Sequence, residues 1–513
     1  MSLDRMPSSV LAFPLYYYDS TMNVQNFRRD CSHHHRFFPC SLHALLPKVV
    51  SSSSNFELVR KSTLPEAHRP TDDMCANANS PSDDGEHVQP IASHESNEAL
   101  KVLAREIRAE LVDLQANDAI HGCGKAPLWI LHSRPAEALQ LAKDQVQNQP
   151  YRDVRGCWLR LYEEASLHRA AEMIDDASKS SASTDWISPV VKMLDLGLIV
   201  SGALVRGELY EAVLANLRPF LEDSGLDAGI PSTFNVAKPE PLHSEHIVPS
   251  RRRPSLEAFQ NHIDKQRTPL ILEGVIDDWP AMSTWHRPAH MLRLTLGGRR
   301  CVPVEIGESY THPDWRQEIM TFHKFMNDYL LLQQPEEIGY LGQHDLFHQI
   351  PALLREIITP DYCFSAPPEI TPASRLGLPP VPPVDEPQKN VWLGPKGTRT
   401  PLHTDPYHNI FCQVLGYKYV RLYPPHATKS VYPRGVDENG INESNTSRVD
   451  LRLDRSKPGY VSIDGREAFP LFVMQTDYLE VMVGPGECLY IPAGWWHYIE
   501  SLTASYSVSF WWN

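Results

Sequence analysis

Nowhere does the 513-residue chain hold the roughly eighteen consecutive apolar residues that a membrane-spanning helix needs. Its N-terminal "MSLDRMPSSVLAFPLYYYDS" has an early acidic residue and no convincing small-residue cleavage site. Neither a membrane span nor secretion is expected. CxxC pairs are also missing: the nine cysteines show no even spacing, which reads as free thiols in a reducing compartment rather than a disulfide framework. The sequons at Asn442 and Asn445 are then expected to stay unmodified. Positive charge is short, with 48 Lys and Arg against 63 Asp and Glu. A net charge of −15 weighs against broad nucleic-acid binding and is compatible with basic protein partners.

What is present divides the chain into zones. Residues 1–96 are rich in Ser, Pro, His, Asn and Asp without an apolar period, so a disordered tail is expected. The triplet His33, His34 and His35, between Cys31 and Cys40, reads as solvated tail because it lacks ligands on two elements. Over 97–225, segments such as "NEALKVLAREIRAELVDLQ" and "VRGCWLRLYEEASLHRAAEMI" space apolar residues three and four apart, which predicts an all-helical domain for packing or partner docking. A proline-rich linker follows at 226–245. The run Arg251, Arg252, Arg253 suits a nuclear address or a charged strand edge. From there on, "TPLILEGVIDDWP", "NIFCQVLGYKYVRLYPP" and "ASYSVSFWW" read as short strands of a mainly β domain, a jelly roll of the double-stranded β-helix kind. Its Pro-rich loop at 365–390 looks like an excursion.

The chemistry is concentrated in "PLHTDPYHN". Residues i and i+2 of an extended strand face the same side, so His403 and Asp405, read as a pair at a strand start, can enter one cavity. His497, in "GPGECLYIPAGWWHYIES", is the candidate third ligand. Two histidines and one carboxylate on one face of an octahedron leave three positions open, the ligand set of non-haem Fe(II) oxygenases. An HxD pair alone is common, and His408 and His426 show how freely histidine is used here. The joint pattern gains weight from Lys418, a lysine in an apolar strand: burying it requires an anion, and an outward-facing edge lysine is the plain alternative. A dicarboxylate chelating iron at one end would need such a cation at the other, with Thr400 and Asn409 as hydrogen-bond partners.

These residues resemble a family. "WLGPKGTRTPLHTDPYHNIFCQVLGYKYVRLYPP", "NTSRVD" and "GPGECLYIPAGWWHYIESLTASYSVSFWWN", with "RPSLEAFQ", "GGRRCVPVEIGESYTHPDW" and "IGYLGQHDLFHQIP" upstream, are similar to the JmjC-domain 2-oxoglutarate oxygenases. The likeness is closest to the JmjC-domain-containing protein 5 subgroup, also called lysine demethylase 8, and covers a catalytic domain at 246–513. The resemblance implies His403, Asp405 and His497 as iron ligands, and Tyr340, Thr400, Asn409 and Lys418 as holders of 2-oxoglutarate. It also implies Glu305 and Trp392 as substrate-pocket residues, although each is equally an ordinary strand residue. O2 and 2-oxoglutarate would be co-substrates, and the target a basic side chain of a histone or a ribosomal or chromatin-associated protein, in the nucleus or cytoplasm. Arginine hydroxylation is the reaction expected, with histone lysine demethylation as the alternative. The ligand set is the same for both. A silent cupin-like scaffold is the alternative of another class.

Overall fold

The computed structural model describes residues 93–179, 185–221, 229–311, 314–332, 335–368, 381–436, 442–453, 461–463 and 465–513. The tail expected over 1–96 therefore falls outside the described residues up to 92, as do the His33–His35 triplet and, internally, residues 369–380 of the Pro-rich loop. Helical structure starts at Ser93, inside the range expected to be tail.

The helical part runs through α1 (Ser93–Glu110), α2 (Lys125–Ser133), α3 (Pro135–Gln147), α4 (Gly156–Lys179), α5 (Ile187–Ser201) and α6 (Gly207–Asn216). Leu100, Leu103, Ala104 and Ile107 form one stripe of α1 and, with Leu111 just beyond its end, bury against Leu167, Ala170, Ile174 and Leu194 of α4 and α5. Each such large aliphatic chain removed from water contributes about 1.5–3 kcal/mol. The opposite side of α4, with Leu161 and Ala165, takes up Leu131, Ala138, Ala142 and Val146 of α2 and α3. Polar groups seal the centre: Arg160 pairs with Asp118 at 3.0 Å and with Glu164 at 2.5 Å, and Arg206 reaches Glu164 at 3.1 Å.

The described part of the linker expected at 226–245, from residue 229 on, carries no helix or named strand, yet it is pinned to the next part of the chain. Phe234 is buried in the core there, and its N–H donates to the His286 carbonyl at 3.0 Å. Strands follow in the order β1 (Ser250–Arg252), β2 (Leu270–Glu273), β3 (Cys301–Ile306), β4 (Arg316–Thr321), β5 (Gly339–Tyr340), β6 (Gln388–Gly394), β7 (Arg399–Thr404), β8 (His408–Leu415) and β9 (Lys418–Tyr423). After them come β10 (Leu451–Leu453), β11 (Val461–Ile463), β12 (Leu479–Val483), β13 (Glu487–Ile491), β14 (Trp496–Ser501) and β15 (Ser505–Trp512). Arg251 and Arg252 lie exposed on β1, at the edge of the larger sheet, which is where charge keeps an open edge from pairing with another chain.

Two sheets face one another. The larger is ordered β1-β2-β13-β8-β15-β6 and the smaller β12-β9-β14-β7. Every residue of β8, "HNIFCQVL", is buried, because both faces of that strand are covered. Outward, Ile410, Cys412 and Val414 meet Phe259, Trp279 and Trp285 from the helices that cover the larger sheet. Inward, Phe411 joins Trp392, Val420, Leu422, Val481 and Ile499 in a core between the sheets. The turn from β8 to β9 depends on Gly416: its φ is +75°, and a Cβ there would stand 1.9 Å from the Ala504 carbonyl oxygen. This enclosed space between the sheets is where the chemistry-bearing residues converge.

Candidate metal centre

β14 lies between β9 and β7, with His497 directly opposite His403 and Trp496 opposite Thr404. Residues almost a hundred positions apart thereby become cross-strand neighbours, with ring centroids 4.1 Å apart. Asp405 does not open a strand, as the sequence suggested. β7 ends at Thr404 and Asp405 stands just beyond it, in the turn before β8, where its carbonyl accepts from the Gly494 N–H at 3.0 Å. β7 is an edge strand of the smaller sheet, which is why Pro401 is tolerated inside it.

Each imidazole is oriented by its own strand. His403 Nδ1 lies 2.8 Å from the Pro401 carbonyl oxygen and His497 Nδ1 lies 3.1 Å from that of Trp495. A carbonyl only accepts, so both protons sit on Nδ1 and both Nε2 lone pairs are free. Those lone pairs face Asp405 Oδ2 at 3.7 and 3.6 Å, too far for hydrogen bonds and close enough to share one ion. Among the described residues, His403, Asp405 and His497 are the cluster whose ligand atoms, all within 4.8 Å of one another, could hold a metal. Burial raises the Asp405 carboxyl above its usual range, and burial, then the neighbouring His403, pushes His497 well below its own. A cation bound here would reverse the logic at Asp405 and meet neutral imidazoles. The donor set, two imidazole nitrogens and a carboxylate with room beside them, suits a divalent transition metal.

Lys418 begins β9 and is 1% exposed. Its Nζ donates to the Tyr340 hydroxyl at 3.3 Å and lies 5.4 Å from that ring's centroid and 5.3 Å from that of Phe411. No carboxylate among the described residues pairs with it. Burial accordingly pushes the ammonium down to about 7. The Tyr340 hydroxyl is also hydrogen-bonded by Thr400. Asn409 is buried on the facing sheet, with an Oδ1 that has no partner. An unpaired buried cation, hydroxyls beside it and a metal-ligand cluster along the same strands fit an acid with one metal-binding end and a second, distal carboxylate.

Glu305, on β3, stands opposite Tyr340 in the β3–β5 register. Trp315 Nε1 donates to its Oε2 at 3.4 Å, and loss of water pushes the Glu305 carboxyl up to about 7. Both belong to a small cleft, lined also by Glu308, Tyr340, Thr398 and Arg399. Trp392 stands behind this cleft: its ring centroid is 6.0 Å from that of Tyr340, and its Nε1 donates to Ser509 Oγ at 2.9 Å. The indole that meets the carboxylate is Trp315, which sequence reasoning missed. Trp315 stands just before β4, and only the folding back of β4 on β3 brings it to Glu305. Arg399 is held by Glu308 at 2.9 Å and Asp450 at 3.1 Å, so the cleft keeps Glu305 as its carboxylate without an ion-pair partner.

Comparison with known proteins agrees with this geometry. A model of the cupin-like domain matches residues 255–513. The chain is 34% identical to the lysine-specific demethylase JMJ30 of Arabidopsis thaliana over 78% of its length and 91% of that protein. It is 33% identical to the Jumonji C domain-containing protein 5 of Drosophila melanogaster over 68% and 75%. It is 41% identical to the lysine-specific demethylase 8 of Xenopus tropicalis over 53%, spanning 54% of that relative. The chain belongs to the cupin-like JmjC family. It is thus an enzyme of the 2-oxoglutarate-dependent oxygenase class, with a double-stranded β-helix behind a helical region. No described helix is long and apolar enough to cross a membrane.

Proposed function

We propose that the chain is an Fe(II)- and 2-oxoglutarate-dependent oxygenase acting on a cationic side chain of a protein, with N-methylated lysine as the first reading. The observation that carries it is Lys418, a buried ammonium without a carboxylate partner, set along the same strands as the His403, Asp405 and His497 cluster. When bound, iron and the 2-oxo acid supply the oxidising chemistry: O2 and 2-oxoglutarate are consumed, succinate and CO2 leave, and one oxygen atom enters a substrate C–H bond.

The chain's own residues bind and orient. His403, Asp405 and His497 would hold the metal through Nε2, Oδ2 and Nε2, with their Nδ1 protons fixed on backbone carbonyls. Lys418, Tyr340, Thr400 and Asn409 would hold the 2-oxo acid. Glu305, once ionised, attracts a cation into the cleft, and the Trp315 indole gives it an aromatic face. The residues between the sheets exclude water. Oxygen inserted at an N-methyl group gives a carbinolamine that releases formaldehyde, whereas on a carbon the alcohol stays.

The names of two of the relatives favour demethylation over the arginine hydroxylation that the sequence suggested, while a carboxylate beside an indole suits a guanidinium equally. The test is mass spectrometry of methylated and unmethylated histone peptides and of arginine-bearing ribosomal peptides after incubation with the full chain, Fe(II), ascorbate and 2-oxoglutarate. A lost methyl group supports demethylation and an added oxygen on arginine supports hydroxylation. Bound metal without any 2-oxoglutarate turnover would leave the scaffold reading. A nuclear or cytoplasmic site of action goes with such substrates.

A further inference from the structure

Two nucleophilic side chains meet in the helical part, where nothing in the oxygenase reading uses them. Cys123 closes a 3-10 turn at Ala119–Cys123, and Cys157 is the second residue of α4, 34 positions later. The Cys123 thiol donates to the Cys157 carbonyl at 3.1 Å and is hydrogen-bonded with the Cys157 thiol as well. A Cβ on Gly122 would stand 3.2 Å from the Cys157 Cβ and 3.5 Å from its Sγ, so the turn lies directly against α4. Three anchors hold it there. Arg155 Nη2 donates to the Gly122 carbonyl at 2.9 Å, Asp118 pairs with Arg160 at 3.0 Å, and Ile120 is buried in the core shared by α2, α3 and α4.

The surroundings of the pair decide its chemistry. Cys123 is half-buried and open to a small reagent, whereas Cys157 is 6% exposed. Burial, and then the neighbouring Cys157, raise the Cys123 thiol above its usual range, while the Arg155 guanidinium acts in the opposite direction. Two thiolates in contact repel, so one sulfur is charged while the other keeps its proton. That is the division between an attacking thiolate and a resolving thiol. Because the fold holds both sulfurs together before any reagent arrives, their effective concentration is high and an internal bond is favoured over a mixed one. Cys412 and Cys488 also stand opposite one another, across β8 and β13, but both are fully buried and closed to a reagent.

We propose that Cys123 and Cys157 form a reversible disulfide, with a low-molecular-weight disulfide such as oxidised glutathione as the oxidant. The Cys123 thiolate attacks one sulfur of the reagent, whose S–S bond breaks and releases one thiolate. The Cys157 sulfur then gives up its proton and displaces the second thiolate from Cys123. Two electrons pass to the reagent, which takes up the two protons and leaves as two thiols, and the protein gains one S–S bond. That bond closes a ring around α2 and α3, which lie between the two cysteines, and ties this helix pair to the first turn of α4. The helical part is thereby more stable oxidised than reduced.

The test needs no turnover. The full chain is equilibrated with reduced and oxidised glutathione in ratios running up to oxidised glutathione alone, quenched with acid, unfolded and treated with N-ethylmaleimide, and its digest is read by mass spectrometry. A peptide pair joined through Cys123 and Cys157 is expected, with Cys301, Cys363, Cys412 and Cys488 still alkylated. The melting temperature is expected to rise by several degrees on oxidation and to fall back with dithiothreitol. Cys123→Ser should abolish both the link and the rise, and Cys157→Ser should stop at one glutathione on Cys123, again without the rise. Oxidation should quicken by about tenfold per pH unit from 7 to 9, since the attacking species is the thiolate of a raised thiol. Mapping the wild-type link stands apart from any folding defect of the variants. Both cysteines alkylated at every ratio would overturn the proposal, as would wild-type oxidation that stops at a mixed disulfide or joins Cys123 to a cysteine other than Cys157.

Discussion

A lysine with 1% exposure and no carboxylate beside it is a standing cost to the ligand-free fold. Its ammonium titrates near 7 in the fold against the ordinary 10.5, so the unfolded chain holds the extra proton between those values. The cost is full below pH 7 and fades as the pH rises toward 10.5. Lys418→Met is therefore expected to raise the melting temperature of the metal-free protein by several degrees at pH 6 and by less at pH 9. The same variant should lose the added stability that N-oxalylglycine, an inert 2-oxo-diacid mimic, gives the wild type. Differential scanning calorimetry with and without that ligand checks both. For Glu305 the sign runs the other way: its carboxyl, raised to about 7 from 4.5, carries charge mainly above pH 7. KM for a cationic peptide is expected to fall as pH rises from 6 to 8, by up to about tenfold per unit on the acid side, and Glu305→Gln should flatten that dependence. His403→Ala or Asp405→Ala should abolish succinate formation and Mn(II) binding while shifting melting by only a few degrees, because neither side chain belongs to the apolar core between the sheets.

At the scale of elements, the join between α5 and β3 matters most. Asp195, fully buried on α5, accepts from Arg300 Nε at 2.8 Å, the Cys301 N–H at 2.6 Å and Gln349 Nε2 at 2.8 Å. Cys301 opens the strand that carries Glu305, so the helical part fixes one wall of the cleft. Asp195→Ala strands the Arg300 guanidinium in a buried site and is expected to cost about 3–5 kcal/mol, read as a fall of on the order of 10 °C in melting temperature. None of this was legible beforehand, since Asp195 and Arg300 lie on different elements with no local pattern linking them. β4, "RQEIMT", was equally hidden: its alternating exposure belongs to a polar edge, and it lacks an apolar run. β8, β13 and β15 were readable because each is a short run rich in aliphatic and aromatic residues, even though β8 and β15 also bury His, Asn, Gln and Ser side chains.

Across the molecule, the Asp195 junction and the Leu296 side chain, which lies in the helical core, join the helical part to the β part. We propose that the boundaries near 225 and 246 divide the sequence without dividing stability. Residues 93–513 are expected to unfold in one calorimetric transition, and two separated transitions would show independent domains.

The sequence alone determined the candidate groups: an HxD pair, a later histidine, and a lysine whose burial it left open. It determined them because ligand chemistry and burial cost are properties of residue type and near spacing. Which indole meets Glu305, and that Asp405 stands just past the end of a strand, were decided by the tertiary structure. Strand register brings together residues far apart in the chain, and register follows from the packing of two whole sheets.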